Sequence, residues 1–179
     1  DDSRVTVNTK VFVHPGRISP EKNQVALCKV FYRLIAEGED IVLVIAGTNQ
    51  VGAVLQEMSQ YFSDRIKYIG ERSDVSQLLA RADGFCLPSK WEGLPITLLE
   101  ALSVGCIPIC SPVGGIINVI KSGINGILSK SSSEEDYYQC MKTFLSFDKK
   151  KVEMMRKSAL ESFATFDISN TSKGYCDFY

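Results

Sequence analysis

Two glutamates eight residues apart are the side chains of this sequence best suited to binding a ligand. Glu92 precedes a Gly-Leu-Pro turn, and Glu100 lies in the apolar segment that follows, residues 96–104. The apolar segment 84–87 before them is predicted to be a short buried strand, and Pro95 suits the first position of a helix. In a parallel α/β sheet, ligands bind outside the carboxyl ends of the strands, where helix N-termini direct their free amides. Because a carboxylate accepts two hydrogen bonds side by side, the pair suits the vicinal hydroxyls of a sugar better than a phosphate.

Both glutamates also have a simpler interpretation as solvated surface residues. For Glu100 this interpretation is weaker, because a solvated charge is not expected among the apolar residues that surround it in the sequence. A polar ligand explains Glu100 better. Its apolar neighbours are Ile96, Leu98, Leu99, Ala101 and Leu102.

A pair of cations, Arg17 and Lys22, flanks the first predicted strand-to-helix turn. Ser19 is predicted to cap this helix, with Pro20 at its first position. Such a pair suits a diphosphate, since arginine offers a planar fork, lysine a point charge, and the helix its free amides. The alternative is two solvated surface cations. The diphosphate interpretation is favoured because this turn belongs to the same predicted sheet edge as the Glu92 turn.

Short apolar runs alternate with segments of helical periodicity along the chain, which predicts a doubly wound, Rossmann-like parallel α/β sheet with right-handed crossovers. A helical C-terminal tail from about residue 133 is expected to pack across it, and residues 1–179 are predicted to form a single domain. Strands are predicted over residues 5–13, 41–46, 65–69, 84–87, 107–110 and 127–128. Helices are predicted over 20–36, 51–62, 75–82, 96–104, a short stretch ending at 120, 131–147, 149–163 and 168–179.

Composition excludes several classes of partner and site. The net charge of −1 gives no electrostatic footprint for nucleic acid or an anionic membrane, and no apolar run approaches the roughly 18 residues of a membrane span. The single histidine, His14, is expected to be a turn residue, and no Cys-x-x-Cys occurs, so a zinc site is not expected. Scattered, core-like cysteines predict a cytoplasmic location. They are Cys28, Cys86, Cys106, Cys110, Cys140 and Cys176.

A series of short motifs runs along the chain, in segments 16–17 with 22–23, 45–47, 82–89, 92–93, 99–102, 105–108, 114–115 and 125–126. Taken together, these motifs resemble the C-terminal half of a GT-B glycosyltransferase, most closely the retaining family four that includes sucrose synthase and many bacterial polysaccharide enzymes. The resemblance covers residues 9–179. The Glu-x7-Glu element is specific because it follows Leu-Pro-Ser and precedes Ala-Leu.

The resemblance implies a role for each matching residue. Arg17 and Lys22 would hold the diphosphate of a nucleotide-sugar and stabilise it as it leaves. Glu92 would contact hydroxyls of the donor sugar, and these three residues are the expected catalytic residues. Glu100 would accept hydrogen bonds from the ribose. The backbone at Gly47 and Gly70 would close around the base, and the backbone amides at Gly93 and Leu94 would approach the sugar. Thr97 would bind a phosphate, and Gly16 is a further donor-binding residue.

The activity that the resemblance implies is transfer of a sugar, with retention, from a nucleotide-diphosphate sugar to a polysaccharide or lipid-linked acceptor, without a metal or other cofactor. The fold needs two similar domains, so this chain is expected to be the donor-binding domain, inactive until joined to an N-terminal acceptor domain. Membrane association, peripheral at the inner face, is expected only through that missing half. Two positions depart from the family pattern: Pro15, and Asn118 where an acid is usual.

Other functions remain open at this stage. A non-catalytic nucleotide-binding module would keep the same site, and a nucleotide-sugar 2-epimerase shares the fold but needs a catalytic histidine. A dehydrogenase-type Rossmann domain and a P-loop kinase are disfavoured, because neither Gly-x-Gly-x-x-Gly nor Gly-x4-Gly-Lys-[Ser/Thr] occurs.

Overall fold

The computed structural model describes residue 6 and residues 8–164, so the helix predicted over 168–179 and Cys176 lie outside the described residues. Six strands form one sheet in which every neighbouring pair is parallel. The strands are β1 Lys10–Pro15, β2 Ile41–Ala46, β3 Ile66–Tyr68, β4 Gly84–Leu87, β5 Ile107–Cys110 and β6 Ile127–Leu128. Their order is β3-β2-β1-β4-β5-β6. The predicted parallel α/β sheet is confirmed.

Helices cover both faces of the sheet. They are α1 Gln24–Ala36, α2 Gly52–Ser59, α3 Val75–Ala80, α4 Ile96–Ser103, α5 Ile116–Val119, α6 Glu134–Leu145 and α7 Lys149–Phe163, with a 3-10 turn at Pro20–Lys22. The C-terminal pair packs across the domain as predicted, with α6 against α1 on one face and α7 against α4 on the other. None of the helices within the described residues is long and apolar enough to cross a membrane.

Successive residues of the central strands point into two separate apolar cores. In β1, Phe12 belongs to the core under α1 and α6, whereas Val13 belongs to the core under α4 and α7. In β4 the same alternation places Cys86 in the core under α1 and α6, and Phe85 in the core under α4 and α7. Burial on both faces is why these strands read as continuous apolar runs in the sequence. The five described cysteines are buried and free, and burial raises the pKa of their thiols, so they are core residues as expected.

The first strand differs from the prediction. It was predicted over residues 5–13, but it begins at Lys10 and runs on to Pro15. His14 and Pro15, expected to form a turn, instead pair with Ile45 and Ala46 of β2. Strand pairing at the centre of a sheet thus overrides the local turn preference of the His-Pro dipeptide.

The first helix also starts later than predicted. Ser19 precedes only the 3-10 turn and makes no capping hydrogen bond. Asn23, with φ 58°, then separates the 3-10 turn from α1, which begins at Gln24. Asparagine tolerates this left-handed conformation, and here its Nδ2 donates to the carbonyls of Pro88 and Ser132, at 3.1 Å each. The start of α1 is therefore set by contacts with distant loops.

The helix predicted over 131–147 begins later, at Glu134, and Ser133 is its cap. Ser133 Oγ accepts from Asp136 N at 3.2 Å, while Ser131 Oγ donates to the Asp136 carboxylate at 2.5 Å. The serine run offers three capping candidates in a row, and only the backbone geometry selects one.

Candidate functional site

The strand order reverses between β1 and β4, which are neighbours at the centre of the sheet. From β1 the chain proceeds to β2 and β3 on one side, and from β4 to β5 and β6 on the other. In open α/β sheets, such a switch point opens a crevice at the carboxyl ends of the strands, where ligands bind. Arg17 lies two residues after the end of β1, and Glu92 lies five residues after the end of β4. The fold therefore brings both predicted constellations to this crevice.

A short ion pair joins the two loops. Lys22 Nζ lies 2.6 Å from Glu92 Oε1, and Ser89 Oγ donates to the same oxygen at 2.6 Å. The side chains of Lys22 and Glu92 are only 15% and 9% exposed, so this is a largely desolvated pair. Among the described residues no donor reaches Glu92 Oε2, which leaves that oxygen able to accept from a hydroxyl. The structure thus places a cation and a hydroxyl acceptor side by side.

The loop after β5 supports the Glu92 turn from below. Gly115 N donates to Gly93 O at 2.8 Å, and a Cβ added at Gly114 would lie 1.9 Å from Glu92 O. Gly114 also has φ +55°, a conformation that side chains disfavour. Ser111 Oγ adds a hydrogen bond to Ser89 O. These contacts explain why two glycines stand here, a role that the sequence pattern alone did not reveal.

Three predicted glycines meet at the ends of β1, β2 and β3. Gly47 N donates to Gly70 O at 2.8 Å, and a Cβ added at Gly47 would lie 2.0 Å from Gly16 O. Tyr68 OH donates to Gly47 O at 2.8 Å and holds this turn from the other side. Because these glycines have no side chains, the three turns pack closely against one another and no side chain from them fills the space alongside.

A cleft of about 190 Å³ opens beside these turns. Four residues predicted to bind the donor line it: Gly16, Arg17, Gly47 and Thr97. Glu71 and Arg72 also line it, and sequence reasoning missed both. Their signal was only positional, since they directly follow Gly70 at the end of β3.

Arg17 and the remaining predicted residues lie at the same edge of the sheet. Arg17 is exposed, and no described residue bonds its guanidinium. Glu100 lies one helical turn after Thr97 on α4, is half-buried, and its carboxylate has no partner among the described residues. Gly93 and Leu94 are exposed beside Glu92. Their predicted roles toward a donor stay predictions.

A family model decides the relationship of the chain to known proteins. The model "Glycosyl transferases group 1" matches residues 2–161, most of the chain. The chain belongs to this family. The enzyme class expected from the sequence is thereby confirmed at the level of the family.

Individual relatives of this glycosyltransferase chain are distant. It is 29% identical over 139 residues to the Escherichia coli UDP-Gal:alpha-D-GlcNAc-diphosphoundecaprenol alpha-1,3-galactosyltransferase, covering 75% of this chain and 36% of that protein. It is 24% identical over 173 residues to a Xanthomonas campestris glycogen synthase, covering 94% and 36%. Anabaena Alr3699/HepE, solved in complex with UDP-glucose, superposes with a TM-score of 0.84 at 22% identity, covering 94% and 48%. The chain thus has the predicted fold, and it spans 36% of the length of these two curated relatives.

Within the described residues of this glycosyltransferase chain, no three His, Cys, Asp or Glu side chains cluster as metal ligands would. The crevice offers its positive charge through Arg17 and Lys22 instead.

His14 lies directly beneath the site of this glycosyltransferase chain, although the sequence had suggested an unassigned turn residue. It is fully buried, its Nδ1 donates to Cys86 O at 2.8 Å, and its Nε2 faces Gln24 Nε2 at 3.2 Å. Burial lowers the pKa of His14 from 6.5 to about 4, outweighing the opposing effect of the Cys86 hydrogen bond. The native imidazole is therefore neutral.

The depressed pKa of His14 predicts a pH-dependent stability. Unfolding releases an imidazole with a pKa near 6.5, so the unfolded state binds more protons below that pH, and stability falls as the pH drops towards about 4. Between pH 7 and pH 5 the free energy of unfolding should fall by about 2 kcal/mol. Urea titrations at both pH values measure this. Because His14 is the only histidine, a His14→Asn variant should show a much smaller difference, and an equal difference would contradict the assignment.

Proposed function

We propose that this chain is the donor-binding domain of a retaining glycosyltransferase, which transfers a sugar from a nucleotide-diphosphate sugar when joined to an N-terminal acceptor domain. The observation that carries the proposal is the Lys22–Glu92 pair at the switch point of the sheet, with Arg17 on the same turn as Lys22. A desolvated cation beside a carboxylate with a free oxygen suits the junction between a diphosphate and a sugar.

Each part of the donor has a matching group in the proposed site. The diphosphate lies against Arg17 and Lys22, the sugar hydroxyls against Glu92 Oε2, and the ribose against Glu100. The base lies towards the turns at Gly47 and Gly70. In this arrangement the backbone at Gly93 and Leu94 borders the sugar, and Thr97 meets a phosphate.

The chemistry follows from where charge develops. Transfer breaks the bond from the sugar to the diphosphate and forms one to an acceptor hydroxyl, which loses its proton. The departing diphosphate oxygen gains negative charge, which Lys22 and Arg17 stabilise. Held 2.6 Å from Glu92, the Lys22 ammonium is preorganised for this task. We propose that these two cations take the place of a metal ion.

A polysaccharide or lipid-linked glycan is the proposed acceptor class. The E. coli relative is named for a diphosphoundecaprenol-linked acceptor, and the Xanthomonas relative for glycogen synthesis. Action in the cytoplasm, at the inner face of a membrane when the acceptor is lipid-linked, is the matching location. This chain offers a 2-epimerase no catalytic histidine, because its only histidine is buried and both ring nitrogens already face partners.

Calorimetric titration of this chain with UDP, GDP and ADP tests the proposal. One of them should bind saturably, and Glu100→Ala should weaken it about 10-fold, since a hydrogen bond to a charged group is lost. Pyrophosphate, which lacks ribose, should bind both proteins equally. Glu153→Ala, which removes an exposed carboxylate from α7, is the control. Absence of binding by all three nucleotides, or equal affinity in Glu100→Ala, would overturn the assignment.

A further inference from the structure

A buried amide, Gln24, is bonded to two backbone groups of the turn after β1. Its Nε2 donates to Arg17 O at 2.7 Å, and its Oε1 accepts from Ser19 N at 3.3 Å. The side chain is fully buried at the first position of α1. The peptide segment from Arg17 to Ser19 is therefore fastened from the inside of the protein.

The second proton on Gln24 Nε2 connects this turn to β4. It faces His14 Nε2 at 3.2 Å, and His14 Nδ1 donates to Cys86 O at 2.8 Å. With the imidazole proton on Nδ1, Nε2 carries the lone pair that accepts from Gln24. The chain of hydrogen bonds thus runs from β4 through His14 and Gln24 to Arg17.

Only one arrangement of protons satisfies this chain. If the Gln24 amide rotated, its oxygen would face Arg17 O and its nitrogen would face Ser19 N, so like groups would oppose each other. A protonated His14 would set a donor against the Gln24 donor. Gly16 passes directly over the ring, where an added Cβ would lie 3.2 Å from His14 Nε2. The position of the turn after β1 relative to the sheet is therefore fixed by these contacts.

We propose that His14 and Gln24 are positioning residues of the diphosphate site, which fix the Arg17 turn relative to β4 and the Glu92 loop without touching the ligand. This inference rests on the proposed function, because it assigns the turn a diphosphate to hold. It adds two residues that lie behind the binding surface, where sequence motifs for ligand contact do not extend.

The test compares Gln24→Ala with Asn125→Ala in the full chain. Asn125 is likewise a buried amide bonded to backbone, at Lys121 N and Val119 O, but it organises the turn before β6. NMR titrations with UDP and with uridine separate diphosphate binding from nucleoside binding. Gln24→Ala should weaken UDP about 10-fold and leave uridine unchanged, since two hydrogen bonds to the turn are lost. Asn125→Ala should change neither affinity.

Gln24→Met is the second variant, because it keeps the length of the side chain but removes both donors and the acceptor. It should weaken UDP in the same way. Since His14 is the only histidine, its imidazole nitrogen signals in the wild-type chain need no further assignment. They should show the Nδ1–H tautomer.

The possible outcomes distinguish this inference from the proposed function. If the wild-type chain binds UDP and either folded Gln24 variant binds it equally well, the positioning role is wrong and the function stands. An equal loss of affinity for UDP and for uridine would also overturn the positioning role, since it would indicate that the variant disturbs the whole binding site. An Nε2–H tautomer would refute the hydrogen-bond chain even if neither variant folds. If UDP, GDP and ADP all fail to bind the wild type, the proposed function fails, and the positioning role with it.

Discussion

Lys22→Ala is expected to weaken binding of a nucleoside diphosphate about 100-fold, the largest effect of any single side chain at the site. The change removes one cation of the proposed diphosphate site and also leaves the Glu92 carboxylate, 9% exposed, without its ion partner. An unpaired buried carboxylate repels a neighbouring phosphate and costs about 3 kcal/mol of folding stability. Calorimetry with the nucleotide and urea unfolding measure the two losses separately.

The double variant Lys22→Ala/Glu92→Gln separates charge from structure. Neutralising Glu92 should restore most of the stability, whereas the affinity for the diphosphate should stay low because the cation is still missing. Lys142→Ala is the matched control. Its partner Glu39 lies 3.0 Å away, but the two side chains are 40% and 31% exposed, so about 0.5 kcal/mol and no affinity should be lost. Full recovery of affinity in the double variant would show that Lys22 does not contact the ligand.

Gly114→Ala is expected to cost about 3 kcal/mol of stability and to abolish measurable nucleotide binding. The new Cβ would meet Glu92 O at 1.9 Å, so the Glu92 turn must move away from the loop that supports it. Thermal unfolding and nucleotide titration of the variant measure both effects.

Gly123→Ala provides the control for backbone strain. Gly123 also has a positive φ, +80°, but an added Cβ would meet no atom within 4 Å. This change should cost about 1 kcal/mol and leave binding intact. If Gly114→Ala is no more harmful than Gly123→Ala, the contact between the two loops is not what positions Glu92.

Much of the sheet could be predicted from the sequence because most of its strands are short apolar runs, and β2 and β4 are directly followed by Gly47 and Pro88. The bounds of β2, β4, β5 and β6, and of α7, match the predictions residue for residue. These elements are specified by local signals: burial on both faces for the strands, and the periodicity of α7.

The predictions failed where distant contacts decide the local conformation. His14 and Pro15 carry turn-forming signals, yet pairing with β2 holds them in a strand. Asn23 looks like an ordinary helix residue, but its side chain bonds two other loops and delays the start of α1.

The candidate site divides in the same way. Arg17, Lys22 and Glu92 were predicted from residue type and spacing, and the sheet topology brings their loops to one crevice. The Lys22–Glu92 pair, and the support of Arg17 by Gln24 from beneath, could not be predicted. Both depend on contacts between residues that are distant in the sequence or whose contact no sequence motif indicates. Lys22 and Glu92, for example, are 70 positions apart.

The two outermost strands of the sheet have a consequence for work with this chain at high concentration. Unpaired strand edges are templates on which further copies can add and aggregate, and long, flat, apolar edges are the most dangerous. Here one edge, β3, has three residues with Lys67 exposed at its centre, and the other, β6, has two. Each edge therefore offers an added strand only a few backbone hydrogen bonds, so neither edge of the sheet is a strong template for aggregation in the concentrated solutions that calorimetry and NMR require.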